Sequence, residues 1–154
     1  MKKSFNILAV EDNKADFILL KKALMEIEDI ELDIININNG EDAFLFLGKK
    51  EPFVEAFTPS IIILDLNLPG ISGHEILEKI KTDPILKSIP IVIYSTSDDR
   101  KDIAKSYELH ANSYITKTFN IEELFNKILN IGEYWFKTSQ LPDASNLFFS
   151  KEDE

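Results

Sequence analysis

Five apolar runs recur along this chain, each followed by a stretch with helical spacing, and that alternation limits the fold more than any other feature. The runs are FNILAV (5–10), LDIINI (32–37), SIIILD (60–65), IPIVIYS (89–95) and SYITK (113–117). Isoleucine and valine dominate the central ones. They are near-continuous rather than alternating, as strands covered on both faces are. Between them, Phe17, Leu20, Leu24 and Ile27 recur at helical spacing in 14–28. Ala43, Phe44, Phe46 and Leu47 fall in 41–49, and Ile76, Leu77 and Ile80 in 73–82. Segment 99–110 is more weakly patterned, with Ile103, Ala104, Tyr107 and Leu109. Segment 121–137 is the most clearly written, with Leu124, Phe125, Ile128 and Leu129 as its buried stripe. Asn120 caps it and Glu123 completes a capping box, while Ser72 and Glu75 mark the start of 73–82 in the same way. The order is (βα)5, which implies an α/β fold with a parallel sheet and right-handed crossovers.

A chain of 154 residues, 44% of them hydrophobic, can bury one sizeable core, so a single domain is expected. No apolar run approaches the roughly 20 residues needed to cross a bilayer. The opening MKKSFNILAV resembles a signal peptide only in its two lysines and short apolar run, since Glu11 and Asp12 follow at once. With no cysteine there is no disulfide or thiolate metal site, and a reducing cytoplasm is the expected setting. A net charge of −10 argues against nucleic acid or an anionic membrane as a partner, since both demand clustered basic charge. The terminal KEDE (151–154) is expected to be solvated.

In an open parallel sheet, ligands bind outside the carboxyl ends of the strands, where the strand order reverses. Glu11 and Asp12 follow the first strand, Asp65 ends the third, Ser95 and then Thr96 end the fourth, and Lys117 ends the fifth. Any one of these has an ordinary explanation: acids favour a helix N-terminus, and serine or lysine often ends a strand. The convergence of all of them on one rim points to a site. Three crowded acids repel, and a hard divalent cation such as Mg2+, which takes oxygen ligands, relieves the repulsion. One carboxylate can then act as a nucleophile toward phosphorus. A lysine and a serine hydroxyl suit the phosphoryl oxygens. His74 and His110 have no partner at ligand spacing and are read as structural or surface residues.

These motifs together resemble the receiver domains of two-component response regulators, over about residues 5 to 134. VEDN (10–13) matches the acidic pair, DLNLPGISG (65–73) the phosphoacceptor loop, PIVIYST (90–96) the switch hydroxyl at Ser95, and YITKTF (114–119) the switch aromatic at Tyr114 and the lysine at Lys117. The resemblance implies a flavodoxin-like, doubly wound sheet of order 2-1-3-4-5. It implies that Asp65 accepts a phosphoryl group from a sensor histidine kinase or a phosphotransfer protein. Glu11, Asp12, Asp65 and the main-chain carbonyl of Asn67 would hold Mg2+. Lys117 and Ser95 would contact the phosphoryl group, and Ser95 and Tyr114 would move inward when it arrives. The output would then be a reshaped surface rather than a product.

Two departures stand out. The residue after the lysine is Thr118 where the family usually has proline, so a cis bond there would cost about 3 kcal/mol. Thr96 stands where a small residue is usual, and its bulk is expected to restrict water and slow dephosphorylation. The expected division is a receiver over 1–137 and a partly irregular extension over 138–154, a stand-alone arrangement. DLNLP, the long connection at 49–60 and the aromatic tail ending in LP resemble the phytochrome-associated subgroup, which implies a phytochrome-type kinase and homodimers through the C-terminal helix and tail. Tyr134, Trp135 and Phe136 cannot all face one groove, because neighbouring helical residues diverge by about 100°, so the tail either folds back on its own domain or leaves an aromatic for a dimer or partner contact. Two other readings are possible. A haloacid-dehalogenase-type phosphatase needs a second acid two residues after the nucleophile, where Asn67 stands. A pseudo-receiver that binds partners without phosphorylation usually follows loss of site residues, all of which are present here.

Overall fold

The computed structural model describes residues 2–143. The strands are β1 (Lys3–Val10), β2 (Ile30–Ile37), β3 (Ile61–Leu64), β4 (Ile91–Ser95) and β5 (Ser113–Thr116). They form one parallel sheet in the order β2-β1-β3-β4-β5. The helices are α1 (Lys14–Met25), α2 (Gly40–Leu47), α3 (Gly73–Thr82), α4 (Arg100–Glu108) and α5 (Ile121–Glu133). This is the expected doubly wound, flavodoxin-like fold.

Each helix starts where a side chain can accept from the amides of its first turn. The caps are Asn13, Asn39, Ser72, Asp99 and Asn120. At α5 only half of the expected capping box forms. Asn120 Oδ1 accepts from the Glu123 amide at 3.0 Å, while the Glu123 carboxylate pairs with Lys127.

Strand residues alternate between two faces, and each face is covered. Leu8, Val10, Ile62, Leu64, Ile91 and Ile93 pack with α2 and α3. Ile7, Ala9, Ile61, Ile63, Val92, Tyr94 and Ile115 pack with α1 and α5. The four residues of β3 are all buried, as a central strand between helical layers must be. The long connection at 49–60 lies against α2: Phe53 and Phe57 stack edge-on against Phe46, with ring centroids 5.5 and 5.3 Å away.

The expected boundaries change in two informative places. Strand three stops at Leu64, so Asp65 lies just past the ladder, not within it. The last helix does not run regularly to residue 137; α5 ends at Glu133 and continues as a π turn over Tyr134–Thr138. That turn drives Phe136 into the core, 4.9 Å from the Phe5 ring, and leaves Tyr134 50% exposed. Leu141 of the following irregular segment packs against the same core. The remainder of the expected extension, including KEDE, lies outside the described residues.

The loop from β3 to α3 carries Asp65 and is fixed by two glycines. Gly70 has φ +75°, a left-handed conformation that side chains disfavour. Gly73 opens α3 against the loop backbone, and a Cβ there would lie 2.3 Å from the Asp65 carbonyl oxygen and 2.5 Å from Leu66 Cα. Neither backbone atom can swing aside. Gly73→Ala is therefore expected to destabilise the protein by about 2–3 kcal/mol, the usual cost of overpacking, read as a lower urea midpoint. An unchanged midpoint would mean that α3 need not press on this loop.

Candidate functional site

The carboxyl ends of β1, β3, β4 and β5 meet at one rim. Pairing continues one residue beyond the regular strands and fixes the site residues by their backbone. The Glu11 amide donates to Ile37 O at 3.0 Å, the Asp65 amide to Val10 O at 3.0 Å, and the Lys117 amide to Ser95 O at 2.7 Å. Asn36 adds a side-chain brace, donating from Nδ2 to Ala9 O and Glu11 O.

Glu11, Asp12 and Asp65 each present a carboxylate oxygen, all within 4.8 Å of one another. Glu11 and Asp65 are buried and Asp12 is exposed. This arrangement suits a hard divalent cation: oxygen donors only, two supplied from inside and one from the solvent side, through which water ligands can enter. The Asn67 amide donates to Asp65 Oδ1 at 3.1 Å and the Asn13 amide to Glu11 Oε2 at 3.1 Å, so each buried acid is also oriented by a backbone donor.

Lys117 reaches into this group from β5. Its Nζ lies 2.5 Å from Glu11 Oε1, 2.8 Å from Asp16 Oδ2 and 3.2 Å from Asp65 Oδ2. Burial alone would lower its pKa; hydrogen bonds to Asp16 and Glu11 outweigh that and hold it above the usual lysine range, so the ammonium stays charged. For Glu11 burial dominates. Together with the Asp65 charge it overcomes the Lys117 hydrogen bond, and the carboxyl is pushed up to about 8.

The two positions expected to switch, Ser95 and Tyr114, converge on one residue. Ser95 is fully buried, and its Oγ accepts from the Ser97 amide at 3.3 Å. Tyr114, half-buried, donates from its hydroxyl to Ser97 O at 2.8 Å. Burial raises the Tyr114 phenol above its ordinary pKa. Thr96 is exposed beside the site. Among the described residues the one cis peptide is Glu51–Pro52, so the Lys117–Thr118 bond is trans. Thr118 Oγ1 instead donates to Asn120 O at 3.2 Å.

Glu11, Asp12, Asp65 and Lys117 thus come together at one rim, Ser95 ends the neighbouring strand, and Tyr114 is joined to it through Ser97. Sequence reasoning missed three others. Asp16 contacts Lys117, and its place in the first turn of α1, just after the acidic pair, was the available signal. Tyr94 lies under Lys117, with Nζ 4.7 Å from its ring centroid. Ser97 joins Ser95 to Tyr114, and only the fold reveals it. His74 has a structural place: its Nε2 is 3.0 Å from Ser106 Oγ, tying α3 to α4. His110 follows α4 in a left-handed conformation, φ 73°, exposed.

The sequence profile of the response regulator receiver domain matches residues 7–129. Response regulator Rcp1 of Synechocystis sp. is 41% identical over 138 residues, covering 90% of this chain and 93% of that protein. The crystal structure of the phosphorylated cyanobacterial phytochrome response regulator RcpA superposes with a TM-score of 0.86 at 41% identity, over 91% of this chain and 99% of that one. The Mn2+-bound form of Rcp1 gives a TM-score of 0.86 at 40% identity, over 90% and 99%.

Three acids, Glu11, Asp16 and Asp65, surround one lysine, so removing either kind of charge has opposite effects. Lys117→Met leaves buried carboxylates uncompensated and is expected to cost about 3 kcal/mol in metal-free protein. Asp65→Asn relieves the repulsion from Glu11 and Asp12 at the loss of one lysine contact, and is expected to raise the melting temperature by a few degrees, about 1 kcal/mol. Thermal melts in EDTA at about pH 9, above the value of about 8 to which Glu11 is pushed and where its carboxylate is ionised, check both signs; a stabilised Lys117→Met would mean that the acids do not need the ammonium.

Proposed function

Because the chain belongs to the response regulator receiver domain family, we propose that it is a phosphorylation-driven switch in which Asp65 is the phosphoacceptor. The observation that carries this is the geometry at Asp65: a buried carboxylate, 3.2 Å from the Lys117 ammonium and within 4.8 Å of Glu11 and Asp12. The donor is a phosphohistidine on a sensor histidine kinase or a phosphotransfer protein. An Asp65 oxygen attacks phosphorus, a P–O bond forms as the P–N bond breaks, and the leaving nitrogen keeps the bonding pair. The imidazole, protonated at its other nitrogen, departs neutral. A cation held by Glu11, Asp12, Asp65 and the Asn67 carbonyl, Mg2+ in this reading, supplies charge that offsets the negative charge on the phosphoryl oxygens. Lys117 adds a second positive charge, and the Ser95 hydroxyl is within the same rim to hydrogen-bond a phosphoryl oxygen.

The added group brings about −1.5 to −2 of charge beside Ser95. If Ser95 turns toward it, the Ser97 amide loses its acceptor, and Tyr114, bonded to the carbonyl of that same residue, is free to move. This is a signalling protein whose output is a surface. The pseudo-receiver reading has no support from a rim that retains every acid, the lysine and the serine. The similarity to RcpA, named a cyanobacterial phytochrome response regulator, favours a phytochrome-type kinase as partner in the cytoplasm. We take residues 1–137 as the receiver and 138–154 as its extension.

Incubation with Mg2+ and acetyl phosphate is expected to add one phosphoryl mass to the wild type and none to Asp65→Asn. Thr96→Ala, with a smaller side chain at the exposed approach, is expected to lose its phosphoryl group faster by a few-fold, about 1 kcal/mol or less in the barrier. No mass gain, or gain in Asp65→Asn, would overturn the assignment of Asp65; equal or slower decay of Thr96→Ala would remove the role given to Thr96.

Homodimer formation is proposed through the end of the last helix, where Tyr134 stands 50% exposed on the π turn. Cutting the chain at Gly132 would also remove Phe136 from the core, so a point variant is the cleaner probe. Sedimentation is expected to give a dimer for wild type and a shift toward monomer for Tyr134→Ser. A monomeric wild type at tens of micromolar, roughly the range of transient pairs, would end this proposal.

A further inference from the structure

Lys117 has a partner that the acid cluster does not need. An ammonium has three N–H donors, and here they face Glu11, Asp16 and Asp65. Glu11 and Asp65 belong to the three acids that suit a divalent cation; Asp16 does not. It stands in the first turn of α1, on a different element from the phosphoacceptor loop and from β5.

Asp16 is held firmly. Its amide donates to Asn13 Oδ1 at 3.0 Å, and its carbonyl accepts from the Tyr94 hydroxyl at 3.3 Å. Tyr94 in turn lies beneath the ammonium, 4.7 Å from ring centroid to Nζ. Asp16 and Tyr94 thus form two linked walls around the end of the Lys117 side chain, one anionic and one aromatic. Once Glu11 and Asp65 turn their charge to a cation, their grip on the ammonium weakens. Asp16 keeps its contact, and two N–H donors are left for the phosphoryl group.

We propose that Asp16 is a positioning residue for phosphoryl transfer, holding the Lys117 ammonium beside Asp65 when a divalent cation engages Glu11 and Asp65. The inference rests on the reading of Asp65 as phosphoacceptor. It separates Asp16 from the metal ligands: losing it loosens the lysine and leaves cation binding intact. Asp16 acts through its oxygen acceptor, so asparagine can replace it and alanine cannot.

The test compares wild type, Asp16→Asn and Asp16→Ala in the full chain at saturating Mg2+, with acetyl phosphate as donor. Asp16→Ala is expected to label about tenfold more slowly, and Asp16→Asn to stay within about threefold of wild type, since misplaced groups slow such steps steeply. The Mg2+ concentration for half-maximal labelling is expected to be unchanged in both. A second readout needs no turnover: the 1H–15N ammonium signal of Lys117 in Mg2+-loaded protein should persist in wild type and Asp16→Asn and vanish in Asp16→Ala. Labelling of Asp16→Ala at the wild-type rate overturns the proposal, as does equal slowing of both variants, which would indicate a charge effect. Failure of the wild type to label would instead overturn the phosphoacceptor reading, and this inference with it.

Discussion

Three backbone hydrogen bonds just past the strand ends determine what this site can be. They tie Glu11 to β2, Asp65 to β1 and Lys117 to β4, extending the sheet's own pairing into the rim. Side chains on a free loop would spread until their charges no longer repelled. Here the backbone is fixed, so Glu11, Asp12 and Asp65 remain within 4.8 Å of one another. The repulsion is therefore retained in the folded state, at a set of oxygen donors that suits a divalent cation. Crowding of this sort lowers stability at the functional site and is offset by the apolar strands directly beneath it.

The offset has a clear structural source. Beneath Asp65 the strand reads Ile61–Leu64, buried on both faces. Beneath Glu11, the residues Ile7 to Val10 are at most 1% exposed. Each of these isoleucine, leucine and valine side chains contributes roughly 1.5–3 kcal/mol of burial free energy relative to exposure. A rigid base of this kind holds the acids at fixed spacing, whereas the exposed Asp12 remains adjustable on the solvent side. The result is a site with two fixed donors and one movable donor, consistent with a cation that keeps part of its water shell.

Much of this was legible in the sequence because it rests on short-range rules. Near-continuous isoleucine and valine mark buried strands, and the acid, hydroxyl and lysine at their ends fall on the rim once the strands are parallel. Asp65 is the instructive case, a carboxylate that ends an apolar run because it lies one residue outside the ladder. Lys117 follows the same rule on β5. What the sequence did not reveal depends on packing between elements. Asp16 looks like an ordinary first-turn acid until α1 is docked against α5 and its carboxylate meets Lys117. Tyr94 reads as one more apolar strand residue, and nothing in the chain order puts it under Lys117. The π turn at Tyr134–Thr138 is equally silent, since it goes with the packing of Phe136 against Phe5, a contact between residues distant in the chain.

The same reasoning explains why one helix differs from the rest. The helices on the first and last connections bury broad apolar stripes, Leu20, Ala23 and Leu24 in α1 and Leu124 and Ile128 in α5. In α4 the one fully buried residue is Ser106. Its hydroxyl donates to Asp102 O at 2.7 Å and meets His74 Nε2 at 3.0 Å. Asp102 in turn accepts from Ser97 Oγ at 2.7 Å, and Ser97 is the residue on which Ser95 and Tyr114 converge. Hydrogen bonds are directional and weak in net terms, about 1 kcal/mol each, whereas apolar contact is additive and tolerant of small shifts. A helix held mainly by directional bonds loses its seat when one donor turns. A helix held by an apolar stripe does not. The weak hydrophobic pattern at 99–110 thus has a physical meaning: the segment is tied by directional bonds to Ser97, on which Ser95 and Tyr114 converge, while α1 and α5 cover the other face of the sheet with apolar stripes.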